Sequence, residues 1–195
     1  MRVPETWTER FPFLLPLEDD WRRMPLAAMA IAIAFYAWFL FDAAQGRGAL
    51  LTMDLVFVPV HEGGHLLFRF FGEFLMVAGG TLLQLGAPAM LAAVFIFQRQ
   101  VMGTAFCTFF FFEQFLPIST YMADARAQSL PLLTVGDSEY VIHDWNYLFS
   151  RLGLLEHDTQ IAHAVRAIGW MGMLGTVAWM IWRSMESRKA GMNQR

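Results

Sequence analysis

Residues 58–67 read VPVHEGGHLL, so that His61, Glu62 and His65 stand inside an otherwise apolar segment. That segment runs from about residue 51 to 71, close to the ~20 residues that a helix needs to cross the hydrocarbon core of a membrane. Ionisable side chains are costly in a membrane, and their presence at the centre of such a segment indicates a functional site. We therefore expect a membrane helix whose polar centre carries chemistry.

The composition of the whole chain is typical of an integral membrane protein. Of its 195 residues, 56% are hydrophobic and 16% are charged, whereas soluble domains contain about 25% charged residues. Four more apolar segments are close to the length needed to span a membrane, at about 25–41, 75–97, 101–122 and 165–182. The sequence predicts an all-α, polytopic transmembrane helix bundle of about five to six membrane helices plus a short interfacial helix.

We divide the chain into an N-terminal juxtamembrane segment at 1–23, a helical membrane domain at 24–182 and a C-terminal tail at 183–195. The membrane domain has a core at about 51–128, around the HExxH motif, and a polar loop at about 123–164. Within this loop we expect Asp144 to N-cap a short helix. A cleavable signal peptide is the alternative for the first apolar segment, although its charged leader is long for one.

The basic residues near the two ends of the chain leave the membrane orientation open. Both groups favour the cytoplasmic side, which an odd number of spans cannot satisfy: Arg22 and Arg23 at one end, and Arg183, Arg188 and Lys189 at the other. A bacterial inner membrane is the default location. The oligomeric state is not specified by any pattern in the sequence.

Charge and cysteine content argue against a nucleic-acid-binding protein and exclude a disulfide-stabilised scaffold. The net charge of −3 gives no basis for nucleic-acid binding. The single cysteine, Cys107, cannot form an intrachain disulfide. The expected partners are the lipid bilayer and a membrane protein or peptide substrate.

The HExxH motif has the spacing of a zinc site. On a helix His61 and His65 are four residues apart and lie on one face, so both imidazoles can reach one Zn²⁺. Glu62 points about 100° away from His61 around the helix, where a carboxylate can take a proton from a metal-activated water molecule. The sequence thus predicts a zinc cofactor and a general base.

A zinc site needs a third protein ligand, for which the candidates are Asp124, His143 and Asp144, with Glu113 behind them. We favour Asp124, because a carboxylate from a second helix would complete a His-His-Asp set. A helix continuing past Met122 would place one polar stripe toward the bundle interior, consisting of Glu113, Pro117, Thr120, Asp124 and Gln128.

The motif within a membrane helix resembles that of the site-2 protease family of intramembrane zinc metalloproteases, the M50 type. The Gly-rich segment that follows the motif in bacterial members is similar to Gly79-Gly80-Thr81-Leu82-Leu83-Gln84 with Pro88. The family places its third ligand in an Asn-x-x-Pro…Leu-Asp-Gly context. The nearest match here departs from that pattern and reads Gln114-Phe115-Leu116-Pro117, followed by Asp124-Ala125.

This resemblance implies a zinc metalloprotease that hydrolyses peptide bonds of membrane or membrane-adjacent substrates, with Glu62 as its general base. Gln84 and Arg126 are candidate contacts to the substrate or the transition state, and an interhelical hydrogen bond is an equal alternative for Gln84. Two other functions remain open. They are a zinc-dependent hydrolase of a lipid or small amphiphile, and a noncatalytic metal-binding membrane protein.

Overall fold

A computed structural model of the chain describes residues 21–45, 49–130 and 143–192, and within them it contains helices and no β-strand. The rest of the predicted N-terminal segment, polar loop and C-terminal tail lies outside the described residues. We number the helices α1 (Leu26–Ala44), α2 (Ala49–Phe68), α3 (Glu73–Phe97), α4 (Val101–Glu113), α5 (Phe115–Ala123), α6 (Asp144–Leu152) and α7 (Asp158–Met192). Short 3-10 turns occupy Arg69–Phe71 and Leu155–His157.

Four helical segments in the described part of the chain are long and apolar enough to cross a membrane. They are α1, α3, the α4–α5 pair and the segment Leu155–Glu186, which contains most of α7. The predicted all-helical, membrane-type fold is confirmed at this level. Helix α2, predicted as the second span, is not among the four, because the polar side chains of its motif lower its mean hydropathy.

The fourth predicted span, at about 101–122, agrees with one candidate span at Val101–Ala123, which is interrupted at Gln114. Helix α4 ends at Glu113 and α5 begins at Phe115, and Pro117 has no N–H group with which to continue the helical hydrogen bonds back to Glu113. Helix α5 then ends at Ala123, so the predicted stripe does not form: Glu113 and Asp124 are buried, whereas Thr120 and Gln128 are exposed.

Two glycines bring α2 and α3 into backbone contact. A Cβ atom on Gly64 would overlap the carbonyl oxygen of Gly79, and one on Gly79 would lie 2.7 Å from the carbonyl oxygen of Gly64. Small residues of this kind allow membrane helices to approach closely. The resulting hairpin holds the HExxH motif against the middle of α3.

Helix α6 is positioned by a small apolar cluster at the end of α5. Phe149 of α6 packs with Ile118, Met122 and Ala162, which belong to α5 and α7. The side-chain amide of Asn146 also donates a hydrogen bond of 2.8 Å to the carbonyl oxygen of Ala125. These contacts fix the start of α6 beside the helical hairpin.

The opposite end of the bundle gathers arginines from three parts of the chain. The Trp21 ring lies 5.8 Å from the guanidinium carbon of Arg99 and 5.7 Å from that of Arg183. The backbone N–H of Arg22 donates to the carbonyl oxygen of Arg99 at 2.9 Å. Helix α7 continues through residue 182, where we expected the tail to begin, and carries Arg183 into this basic end.

Candidate metal centre

Three potential metal ligands meet where α2, α3 and the start of α6 come together. His61 and His65 from α2 and Asp144 from α6 each offer one ligand atom, and these atoms lie within 4.8 Å of one another. The Asp144 carboxylate oxygen Oδ2 is 2.9 Å from Nε2 of His61 and 3.4 Å from Nε2 of His65. The HExxH histidines therefore converge on a carboxylate, as a metal site requires.

Asp144 reaches the histidines because another residue caps its helix. We expected Asp144 to be the N-cap of α6, but the N-cap is His143, whose Nδ1 accepts the backbone N–H of Asn146 at 3.2 Å. The Asp144 backbone N–H instead donates to the hydroxyl oxygen of Tyr121 at 3.1 Å. The Asp144 carboxylate is thereby left to face α2.

Both histidines are held through their Nδ1 atoms. Nδ1 of His65 lies 2.9 Å from the carbonyl oxygen of Met76, which can only accept a hydrogen bond, so this nitrogen carries the proton. Nδ1 of His61 lies 2.9 Å from the side-chain oxygen of Gln84 and donates in the same way. Such partners fix the ring orientation and the tautomer of metal-binding histidines.

The orientation of the Gln84 amide is set by a buried chain of hydrogen bonds. The amide nitrogen of Gln114 donates to the Glu113 carboxylate at 2.6 Å, which leaves the Gln114 oxygen to accept from Gln84 at 2.7 Å. The oxygen of Gln84 must then face His61. Glu113 and Gln114 are both fully buried, so water does not compete for the hydrogen bonds that set this direction.

The centre requires a positive charge. With both Nδ1 atoms protonated, each neutral imidazole would direct an Nε2 lone pair at the Asp144 carboxylate, which is repulsive. A metal ion or protons on Nε2 would relieve that repulsion. Burial raises the pKa of Asp144, but with protons on Nε2 the hydrogen bonds from His61 and His65 outweigh burial and hold this pKa below its ordinary value.

The structure does not bring Asp124, our first choice as third ligand, into this group. Its carboxylate accepts the backbone N–H groups of Ser129 and Leu130 at 2.9 and 3.0 Å, and one oxygen lies 3.4 Å from Nε2 of His143. Burial raises the pKa of Asp124. The hydrogen bonds lower it by more, so that this pKa lies below its ordinary value. Asp124 and His143 thus stabilise the loop beside the centre.

The other predicted site residues fall into separate environments. Gln84 makes the interhelical hydrogen bonds described above, the alternative that we gave for it. The Arg126 guanidinium is held by Asp158, with N–O distances of 2.9 and 2.7 Å. Glu62 is half-buried and, within the described part of the chain, makes no hydrogen bond or ion pair.

Three more residues shape the centre in roles that the sequence did not indicate. A Cβ atom on Gly80 would lie 2.5 Å from Nε2 of His61, so the absence of a side chain there makes room for the ring. Tyr121 anchors the Asp144 backbone, and its ring lies 4.2 Å from that of His143. Gln114 orients Gln84. Its position beside Glu113 in an apolar helix was the one available signal.

No protein-family model matches this chain, and no curated protein or solved structure matches it.

Proposed function

We propose that this chain is a membrane-embedded zinc metallopeptidase, with His61, His65 and Asp144 as its metal ligands and Glu62 as its general base. The proposal is carried by the convergence of three ligand atoms, all within 4.8 Å of one another. We accordingly replace Asp124 by Asp144 as the proposed third ligand.

The donor set suits zinc. Two imidazole nitrogens and one carboxylate oxygen, with a fourth position left for water or substrate, form the ligand set of several catalytic zinc sites. The side chains of His61 and His65 are 17% and 24% exposed, and that of Asp144 is 9% exposed. The centre is therefore sheltered and still reachable from outside the protein.

The residues of the chain divide the chemistry between them. Zinc held at this site would polarise the substrate carbonyl group and lower the pKa of a water molecule to about 7. Glu62 has no hydrogen-bond or ion-pair partner among the described residues, so its carboxylate is available to accept a proton from the attacking water. The same carboxyl group can deliver that proton to the leaving nitrogen.

The membrane-type helices favour a substrate from the same environment. Four segments are suited to crossing a bilayer, and Leu66 and Leu67, directly after the motif, are 63% and 56% exposed. We propose a multi-pass protein, with a bacterial inner membrane as the default location. The substrate would be a peptide bond in or next to the bilayer.

Replacing Glu62 tests the catalytic assignment. Glu62→Gln should retain about one zinc ion per chain and lose peptide hydrolysis by about 10²-fold or more, because an amide cannot act as the base. The measurement is zinc content together with cleavage of membrane-segment peptides by the purified protein. Glu73→Gln is the matched control, since Glu73 is exposed and pairs only weakly with Arg151 at 3.4 Å.

Full activity of Glu62→Gln would contradict the role of Glu62. Zinc binding with hydrolysis of lipids instead of peptides would move the assignment to the lipid or amphiphile hydrolase. Zinc binding without hydrolysis of either substrate class by the unaltered protein would favour a noncatalytic metal-binding protein.

A further inference from the structure

A crevice of about 550 Å³ lies between α3, α4 and α7, away from the metal centre. Trp21, Trp179, Phe112, Gly172 and Gly175 are among the residues that line it. Its volume falls within the roughly 300–1,000 Å³ typical of ligand pockets. Because all three helices belong to membrane-type segments, the molecules that can enter from the side are lipids.

The crevice adjoins the basic end of the bundle at Trp21. The Trp21 ring that lines the crevice lies 5.8 and 5.7 Å from the guanidinium carbons of Arg99 and Arg183. Arg22 and Arg23 are exposed next to it. Arg183 is paired with Glu186 at 2.8 Å, whereas no ion pair joins Arg22, Arg23 or Arg99 to another described residue.

Two buried polar atoms, one lining the crevice and one at the basic end of the bundle, lack hydrogen-bond partners among the described residues. The hydroxyl oxygen of Thr104, which lines the crevice and is 5% exposed, makes no hydrogen bond within the part of the chain that the structure describes. The same holds there for Nε of Arg183. Since buried polar groups are nearly always hydrogen-bonded, both atoms suit a ligand with oxygen acceptors.

We propose that this crevice binds one anionic phospholipid, with its phosphate group at Arg99 and Arg183 and an acyl chain in the crevice beside Gly175. Basic pockets between membrane helices recognise acidic lipid headgroups. A Cβ atom on Gly175 would meet nothing within 4 Å, whereas one on Gly172 would overlap the Phe112 ring. The absence of a side chain at Gly175 therefore leaves space for the acyl chain of the lipid. The proposal does not depend on the metal centre.

Lipid binding to the purified, delipidated protein tests this inference. Native mass spectrometry should show one bound phosphatidylglycerol at a concentration about tenfold below that needed for phosphatidylcholine with the same acyl chains. The double variant Arg99→Gln/Arg183→Gln should lose this preference. Gly175→Leu should block the binding of both lipids by filling the crevice.

Matched controls separate these effects from loss of folding. Gly86→Leu places the same side chain at another open position on α3, and Arg151→Gln removes an arginine whose partner Glu73 lies at the start of α3. Both controls should bind lipid as the unaltered protein does, and all variants should keep their helical circular dichroism. Equal affinity for the two lipids, unchanged binding by the variants, or displacement of the lipid by inorganic phosphate would overturn the proposal.

Discussion

At the scale of single residues, Gln84 determines which nitrogen of His61 faces the metal centre. Its side-chain oxygen accepts a hydrogen bond from Nδ1 of His61 at 2.9 Å, which leaves Nε2 as the atom that would bind the proposed zinc ion. Gln84→Leu removes this acceptor, and we expect the zinc affinity to fall by about 10–100-fold, the usual effect of losing such a partner. The affinity can be measured by titration against a competing chelator.

Gln84→Glu is the conservative counterpart. Its carboxyl group can accept from His61 through one oxygen and, in the protonated form, donate to Gln114 through the other. The variant should therefore bind zinc more tightly than Gln84→Leu. Equal affinities for Gln84→Leu and the unaltered protein would show that Gln84 does not position His61.

The two aspartates show what could not be read from the sequence. Asp124 and Asp144 have the same side chain, and both were candidates as ligands. The choice depends on a capping contact of His143 and on hydrogen bonds that Ser129 and Leu130 make to Asp124. Such contacts depend on how the chain between α5 and α6 folds, which a helical pattern does not specify.

At the scale of elements, the α2–α3 hairpin sets the position of His61. Gly80→Ala would place a methyl group 2.5 Å from Nε2 of this histidine, so the ring must move away from Asp144. We expect zinc affinity to fall by about tenfold or more, with helicity retained. The zinc that remains bound after gel filtration measures the affinity, and circular dichroism measures the helicity.

Gly86→Ala is the control on the same helix, because nothing lies within 4 Å of a Cβ atom there. Both substitutions make the same gain in helix propensity. They differ in what the added methyl group meets. Equal zinc binding by the two variants would contradict the role assigned to Gly80.

The hairpin also shows why the motif was the most predictable part of the centre. The spacing of His61 and His65 places both rings on one face of any α-helix, and the structure has a helix there. The interruption at Gln114 was less predictable, because it divides a pattern that reads as one span. The end of that span at Ala123 agrees with the predicted end at about 122. The membrane-type fold could be predicted from composition. The sequence also predicted α2 as a spanning helix, but α2 is not among the four segments suited to crossing a membrane.

At the scale of the whole molecule, the basic residues at the two ends of the chain no longer conflict. Arg22 and Arg183 both lie near Trp21, as an even number of crossings allows. Met76, beside the metal centre, is about 31 Å along α3 from its C-terminal residue Phe97, next to Arg99. From the positive-inside rule we expect the arginine end in the cytoplasm and the candidate metal centre toward the opposite side.

Cysteine labelling in intact cells tests this orientation. In a Cys107→Ala background, Ser150→Cys near the metal centre should react with a membrane-impermeant maleimide, because Ser150 is exposed. Met185→Cys, which is exposed near the arginine end, should react only after the cells are opened. The reverse pattern would contradict the orientation.

The central claim is that the carboxylate of Asp144, and not that of Asp124, completes a zinc site with His61 and His65. Zinc content of purified protein by elemental mass spectrometry tests it most directly. The unaltered chain and Asp124→Ala should each hold about one zinc ion per chain, and Asp144→Ala should hold almost none. Retention of zinc by Asp144→Ala together with its loss in Asp124→Ala would contradict the account.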